Sequence, residues 1–365
     1  METKITELQA SAYEFPTESE EESDGTLRWT GTTMVLVRLE AGEQSGIGWA
    51  YTGAAAVELI ERKLASVVVG SDPEETRLIW SEMVAALRNL GRPGLCSSAV
   101  AAVDNAVWDL KAKLHDLPLC RLLGPARTSV RIYGSGGFTS YDESTLKEQL
   151  GRWAELGFSK VKMKVGREPR LDTKRVVLAR KAIGDRCGLM VDGNGAYDTR
   201  QALALAHRFA DQAGVEWFEE PVSSDNLEGL RFLRERGPAA MEIAAGEYGY
   251  RAFYFRRMLE SGAVDVLQAD VTRCAGVTEF LRVGALCLAH QTPLSAHTSP
   301  TLHLHLCTTL QMARDLEWFH DHVRIERKAF EGFVEPEDGW VTPHPGRPGW
   351  GVQCRWQDIE TYRTA

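Results

Sequence analysis

Several things are missing from this sequence, and each absence removes a class of function. Its seven cysteines are odd in number and scattered, with no CxxC pair. That argues for reduced thiols and against a disulfide frame or a zinc knuckle. No apolar run approaches the roughly 20 residues of a membrane-spanning helix. The opening METKITELQA has no basic stretch leading into an apolar one, as a secretory signal would. Acidic residues outnumber basic ones, 51 against 42, for a formal charge of −9, so there is no basic footprint for a nucleic acid. No GxGxxG or Walker-type phosphate loop follows the first strand of the α/β region. What remains is a cytoplasmic protein of enzyme size, with neither nucleic acid nor membrane as a partner.

The chain of 365 residues, 44% hydrophobic, is long enough for a large core and more than one domain. TTMVLVRLEA and SGIGWAYT read as two β segments joined by a Gly-containing turn. The acidic TESEEESDG before them is expected to be solvated and mobile. From Ala54 to His115 the pattern is helical: Val100, Val103, Val107, Leu110 and Leu114 recur at spacings of three and four behind Ser97 and Ser98, which look like a helix start. Residues 1–126 therefore read as an α+β domain.

Beyond it, short apolar strands alternate with helical stretches. The strands are VRIYGSGG, KVKMKVG, GLMVDGNG, EWFEEP, EIAAGE, DVLQAD, TPLSAH and DLEWFH. Repeated βα units imply parallel strands with right-handed crossovers, and eight of them suggest a closed barrel rather than an open doubly wound sheet.

From the second onward, these strands end on an ionisable side chain: Lys164, Asp192, Glu219, Glu247, Asp270, His297 and Glu317. Packing alone does not explain apolar strands that repeatedly terminate in charge. In a parallel barrel the C-terminal strand ends converge on one face, where catalytic groups gather. Asp192, Glu219 and Glu247 come from consecutive strands, and three neighbouring carboxylates repel unless a cation neutralises them. An all-oxygen donor set suits a hard ion such as Mg²⁺. Glu220 suits a supporting role behind those ligands better than ligation. Asn194 reads equally as a substrate contact and as a turn residue in DGNGAYD.

Asp270 beside His297 pairs a carboxylate with an imidazole, which fixes the tautomer and raises the basicity of a general base. His303, His305, His320 and His322 are read as structural. In KVKMKVG the β period puts Lys160, Lys162 and Lys164 on one face. A lysine base must be neutral at working pH, so Lys162 gains a purpose: to depress the pKa of Lys164 and to stabilise a developing oxyanion.

Taken together, KVKMKVG, VDGNG, WFEEP, AAGE, LQADVTRCAG and SAHTSP, in that order and spacing, resemble the enolase superfamily and within it the mandelate racemase subgroup. The likeness spans nearly the whole chain, including SSAVAAVDNAVWDLKAK and GRPGWGV. It implies an α/β fold, a modified TIM barrel of (β/α)7β type over 127–330, with the N-terminal α+β unit as a capping domain and 331–365 returning to that cap. It also implies one Mg²⁺ per subunit on Asp192, Glu219 and Glu247, and a homo-oligomer.

The chemistry implied is removal of the proton α to a carboxylate, giving an enediolate. Lys164 would be one base and His297 with Asp270 the opposing one, with Lys162 and Glu317 at the substrate carboxylate. Asp270 stands where the lactonising-enzyme and dipeptide-epimerase branches would place a lysine, and Glu247 where the glucarate dehydratase branch would place Asn. The expected activity is dehydration of an acid sugar to a 2-keto-3-deoxy acid. Racemisation or epimerisation and cycloisomerisation share its first step, and a non-catalytic barrel that binds acid sugars is the remote alternative.

Overall fold

The structure, a computed structural model, describes residues 3–365. All eight strands expected from the sequence are present: Val130–Gly136, Lys160–Lys164, Gly188–Asp192, Val215–Glu219, Glu242–Ala245, Val266–Ala269, Leu294–Ala296 and Ala313–Phe319. They pair in parallel in chain order, and the eighth returns to the first through Glu317 opposite Tyr133, which closes the barrel. Every connection between consecutive strands carries a helix, as parallel pairing requires. A short antiparallel strand, Trp340–Val341, also lies along the first barrel strand.

The crossover helices follow local rules. Thr199–Ala213 is started by Asp198, whose carboxylate accepts from the backbone N–H groups of Arg200 and Gln201, and it ends at Gly214 in the left-handed conformation (φ 59°). Ala202, Leu205, Ala206, Phe209 and Ala213 form its buried face, the 3.6-residue stripe that seals a helix to a sheet. In the second barrel strand Val161 and Met163 are fully buried in this outer core, while Lys162 and Lys164 project into the barrel, also buried. Tyr133, Met190, Trp217, Ala244 and Val266 form a separate apolar cluster within the barrel. It is a packed floor beneath the polar groups, because Lys162 Nζ lies 5.3 Å above the Tyr133 ring.

The N-terminal region is a three-stranded antiparallel sheet, Glu7–Pro16, Gly31–Ala41 and Gln44–Tyr51, covered by the helix Leu95–Leu114. Gly48 lets sheet and helix touch: a Cβ there would lie 2.2 Å from the Ala106 nitrogen and 2.5 Å from the Ala102 oxygen. The chain's last segment comes back to this sheet. Ala12 exchanges backbone hydrogen bonds with Thr364 and Ala365, Tyr362 stacks on Phe15, and Trp350 donates its indole N–H to the Ile47 carbonyl at 3.1 Å.

Two local expectations fail, and one strand has no counterpart in the sequence reading. The strand Glu7–Pro16 was not anticipated, because its alternation mixes Glu and Gln with small residues. Ser97 and Ser98 do not start their helix. It begins at Leu95, and the Ser97 hydroxyl bonds outward to the Tyr250 carbonyl. The acidic run is not solvated throughout: Glu22, Ser23 and Asp24 are buried in a small hairpin in which Glu22–Ser23 pairs with Arg28–Trp29. That hairpin lies on the barrel's C-terminal loops, since a Cβ on Gly25 would come within 2.5 Å of the Gly193 oxygen and 2.6 Å of the Val165 oxygen.

Candidate active site

The strand-end residues meet beneath that hairpin. Asp192, Glu219 and Glu247, all buried, each offer a carboxylate oxygen, and these oxygens lie within 4.8 Å of one another. Three acids so close need positive charge, and the surrounding side chains supply some. Lys162 Nζ is 2.7 and 2.6 Å from the two Glu219 oxygens and 2.9 Å from Glu317 Oε1. Lys164 Nζ is 2.5 Å from Asp192 Oδ2. Arg273 Nη1 is 3.0 Å from Glu247 Oε1.

The balance is still incomplete. Burial and the neighbouring Asp192 push the Glu219 carboxyl up to about 8 despite Lys162. Glu220 also rises, through burial and then the charge of Glu247. A buried all-oxygen triad that retains excess negative charge fits a hard divalent ion such as Mg²⁺. No sulfur or imidazole belongs to the set, which disfavours the softer metals.

His297 stands across the triad from Lys164. Its Nδ1 is 2.8 Å from Asp270 Oδ2, and its Nε2 is 3.2 Å from Glu247 Oε2 and 3.9 Å from Glu317 Oε2. Burial alone would lower the imidazole's pKa, but Glu247, Glu317 and Asp270 outweigh it and raise it to about 10. Asp270 is fixed by the Thr272 backbone N–H and hydroxyl, both 2.7 Å from Oδ1. Glu317 accepts from the Thr298 N–H at 3.1 Å. Its carboxyl falls to about 2: burial opposes ionisation, and Lys162 and His297 more than offset it.

One expected effect is reversed. Burial, the largest effect, and Lys162 both act to lower the Lys164 pKa, but Asp192, Glu247 and Glu219 together outweigh them and the net shift is upward. With the carboxylates and lysines arranged as here, the surrounding acids favour the ammonium form of both lysines.

Asn194 and Glu220 lie at the rim, both at positive φ (46° and 36°), a strained setting for residues with a Cβ. Asn194 Oδ1 and Glu220 Oε1 are buried without a hydrogen-bond partner, and both residues line a cavity of about 580 Å³ together with Tyr248, Tyr254 and Arg257. Lys160 lies at the opposite end of its strand, half-buried, 3.9 Å from Asp315, away from the other two lysines' partners. His303 and His305 are satisfied by backbone groups on both ring nitrogens, and His322 accepts from Ser299 and stacks on Tyr51. His320 Nε2 lies 2.7 Å from Glu18 Oε2. Sequence reasoning missed Arg273, which touches Glu247 and lies 3.7 Å from Asp270. Its position three residues past the strand-ending Asp270 was the available signal.

Comparisons with known proteins agree with this architecture. The family described as "Enolase C-terminal domain-like" matches residues 145–358, and "Mandelate racemase / muconate lactonizing enzyme, N-terminal domain" matches 25–124. The 3,6-anhydro-alpha-L-galactonate cycloisomerase of Streptomyces coelicolor is 32% identical over 87% of this chain and 88% of its own. The L-talarate/galactarate dehydratase of Salmonella typhimurium is 31% identical over 82% of this chain and 76% of its own. A crystal structure of that dehydratase liganded with Mg and L-lyxarohydroxamate superposes with a TM-score of 0.90 at 26% identity, covering 100% of this chain and 94% of that one. A mandelate racemase/muconate lactonizing enzyme-like protein from Rubrobacter xylanophilus reaches a TM-score of 0.97 at 48% identity over 99% of this chain and 100% of that one.

Proposed function

Because the chain belongs to the enolase superfamily, in its mandelate racemase/muconate lactonizing subgroup, we propose that it is a Mg²⁺-dependent enzyme that removes the proton α to the carboxylate of an acid sugar and dehydrates the product. The observation that carries this reading is the placement of Lys164 and His297 on opposite sides of one carboxylate triad, each held by its own carboxylate.

In this reading Asp192, Glu219 and Glu247 hold the metal, and Lys162 with Glu317 binds the substrate carboxylate. Bound Mg²⁺ supplies positive charge that offsets the dianionic enediolate and, beside Lys164, favours the neutral amine. Lys164 takes the α-proton, and the electron pair of the C–H bond moves into the carboxylate as an enediolate. When that pair returns, the β-hydroxyl leaves as water, protonated by His297 Nε2 while Asp270 holds Nδ1. The resulting enol tautomerises to the 2-keto-3-deoxy acid. In the same reading Asn194 contacts the substrate and Glu220 supports the ligands from behind; each carries a buried oxygen without a hydrogen-bond partner, and both residues line the rim cavity.

A second reading, cycloisomerisation or epimerisation, shares the first step and is supported by the cycloisomerases among the relatives. Incubating the Mg²⁺-loaded protein with aldonic and aldaric acids and their lactones in D₂O separates the two. A 2-keto product lighter than its substrate by one water supports dehydration. Exchange with inversion or ring opening supports isomerisation, and no exchange with any acid in a folded, metal-bound sample refutes the enzyme reading.

A further inference from the structure

A second group of acids and an imidazole gathers where the cap meets the barrel, and it shares no residue with the triad. Glu22 comes from the cap hairpin, and His320 and Asp321 from the first turn of the helix that follows the eighth barrel strand. Each offers one ligand atom, and these atoms lie within 4.8 Å of one another.

Glu22 is fully buried, yet neither of its carboxylate oxygens has a hydrogen-bond partner, and Asp321 Oδ1 has none either. Asp321 Oδ2 accepts the Trp29 indole N–H at 3.1 Å. Glu18 adds a third carboxylate, with Oε2 2.7 Å from His320 Nε2. The nearby cation, Arg324, spends one guanidinium nitrogen on the Pro16 carbonyl at 2.6 Å. Three carboxylates thus face one arginine and one imidazole. Burial and then Asp321 push the Glu22 carboxyl up to about 9, the behaviour of an acid short of a counter-charge.

A buried carboxylate with both oxygens free is costly unless it holds a proton or meets a cation. The atoms on offer have the composition of a metal site, and a cavity of about 600 Å³ lined by Glu18, His320 and Arg324 opens the His320 edge of the group toward solvent. We propose that Glu22, His320 and Asp321, with Glu18 at the solvent edge, form a second divalent-cation site. Mixed oxygen and imidazole donors select Mn²⁺ or Zn²⁺ over Mg²⁺. Its ligands come from the cap on one side and the barrel on the other, so the ion fastens the hairpin across the barrel mouth.

The test counts Mn²⁺ bound by the metal-stripped full chain, by equilibrium dialysis with free Mn²⁺ read by electron paramagnetic resonance. Glu22→Gln, near-isosteric and neutral, should lose one equivalent relative to the wild type. Asp192→Asn should keep that equivalent, which separates this site from the triad whatever the triad does. His320→Gln, a second route if Glu22→Gln misfolds, should weaken the same equivalent by roughly 10- to 100-fold, the usual range for disturbing a metal site. If Glu22→Gln binds as many ions as the wild type, or His320→Gln binds them all as tightly, the site does not exist and the Glu22–Asp321 pair holds a proton instead.

Discussion

Replacing Asp270 by Asn tests the opposing-base assignment in a way the hydrogen bonds make specific. Asp270 Oδ1 accepts from the Thr272 backbone N–H, a donor that cannot be reversed. An Asn there must keep its carbonyl oxygen at that position, which turns its NH₂ toward His297 Nδ1, now 2.8 Å from Oδ2. The amide then donates to Nδ1, so the imidazole's proton moves to Nε2, the atom facing the triad. His297 can no longer accept a proton there. The comparable change of tautomer in a serine protease triad lowers kcat by about 10⁴, equivalent to about 5.4 kcal/mol at 1.36 kcal/mol per tenfold. A loss of about 10³- to 10⁴-fold is therefore expected in any step that His297 begins as a base. Exchange begun by Lys164 should fall by no more than roughly tenfold, since nothing in its contacts with Asp192 changes. The assay is α-proton exchange in D₂O followed by NMR, with substrates of each configuration at C2, in parallel with Mg²⁺ binding to show an intact triad. Equal losses for both configurations, or none for either, would refute the division of labour between the two bases.

Other perturbations have defined outcomes. Lys164→Ala should give the mirror result, losing exchange of the configuration that Asp270→Asn spares, by the same NMR assay. Chelation of Mg²⁺ should abolish exchange while the fold persists by circular dichroism, and restored activity on adding Mg²⁺ but not Ca²⁺ would fit the small triad. Gly25→Ala forces a Cβ to within 2.5 Å of the Gly193 oxygen. It should cost about 1–3 kcal/mol as overpacking does, lowering the thermal midpoint and raising KM, because the hairpin must lift. Asp104, whose carboxyl burial raises to about 7, and Glu326, likewise about 7, bind protons in the folded state that the unfolded chain has lost. Stability should thus fall as pH rises from about 4 to about 7, and Asp104→Asn should flatten part of that slope in urea titrations.

The barrel and its strand-end residues were legible because each is a local event, an apolar run that stops at a charge. Repetition then converted local events into a topology. What escaped depends on partners distant in the chain. Glu22 looks like any member of an acidic run until Asp321 and His320 are set beside it. The strand Glu7–Pro16 buries alternate residues against a sheet and a returning tail that its own pattern does not announce. The sign of the Lys164 shift also needed geometry: the sequence supplied a neighbouring ammonium, and only the fold shows that Asp192, Glu247 and Glu219 together outweigh it and burial. Arg273 was missed because a charged loop residue is ordinarily solvated, and here it is drawn between Glu247 and Asp270.

The bonds that the Thr364 N–H and hydroxyl donate to the Ala12 carbonyl join residues 352 apart in sequence. Contacts of such separation close late, because the entropy of the intervening loop is lost before they form. During synthesis the cap sheet emerges first from the ribosome, yet it lacks its last backbone partners until the whole barrel has been made. Residues 353–365 can therefore join cap to barrel only after the barrel between them has been made. A truncation before Gln353 should leave a cap that exchanges its amide hydrogens at Ala12 quickly even when the barrel has formed.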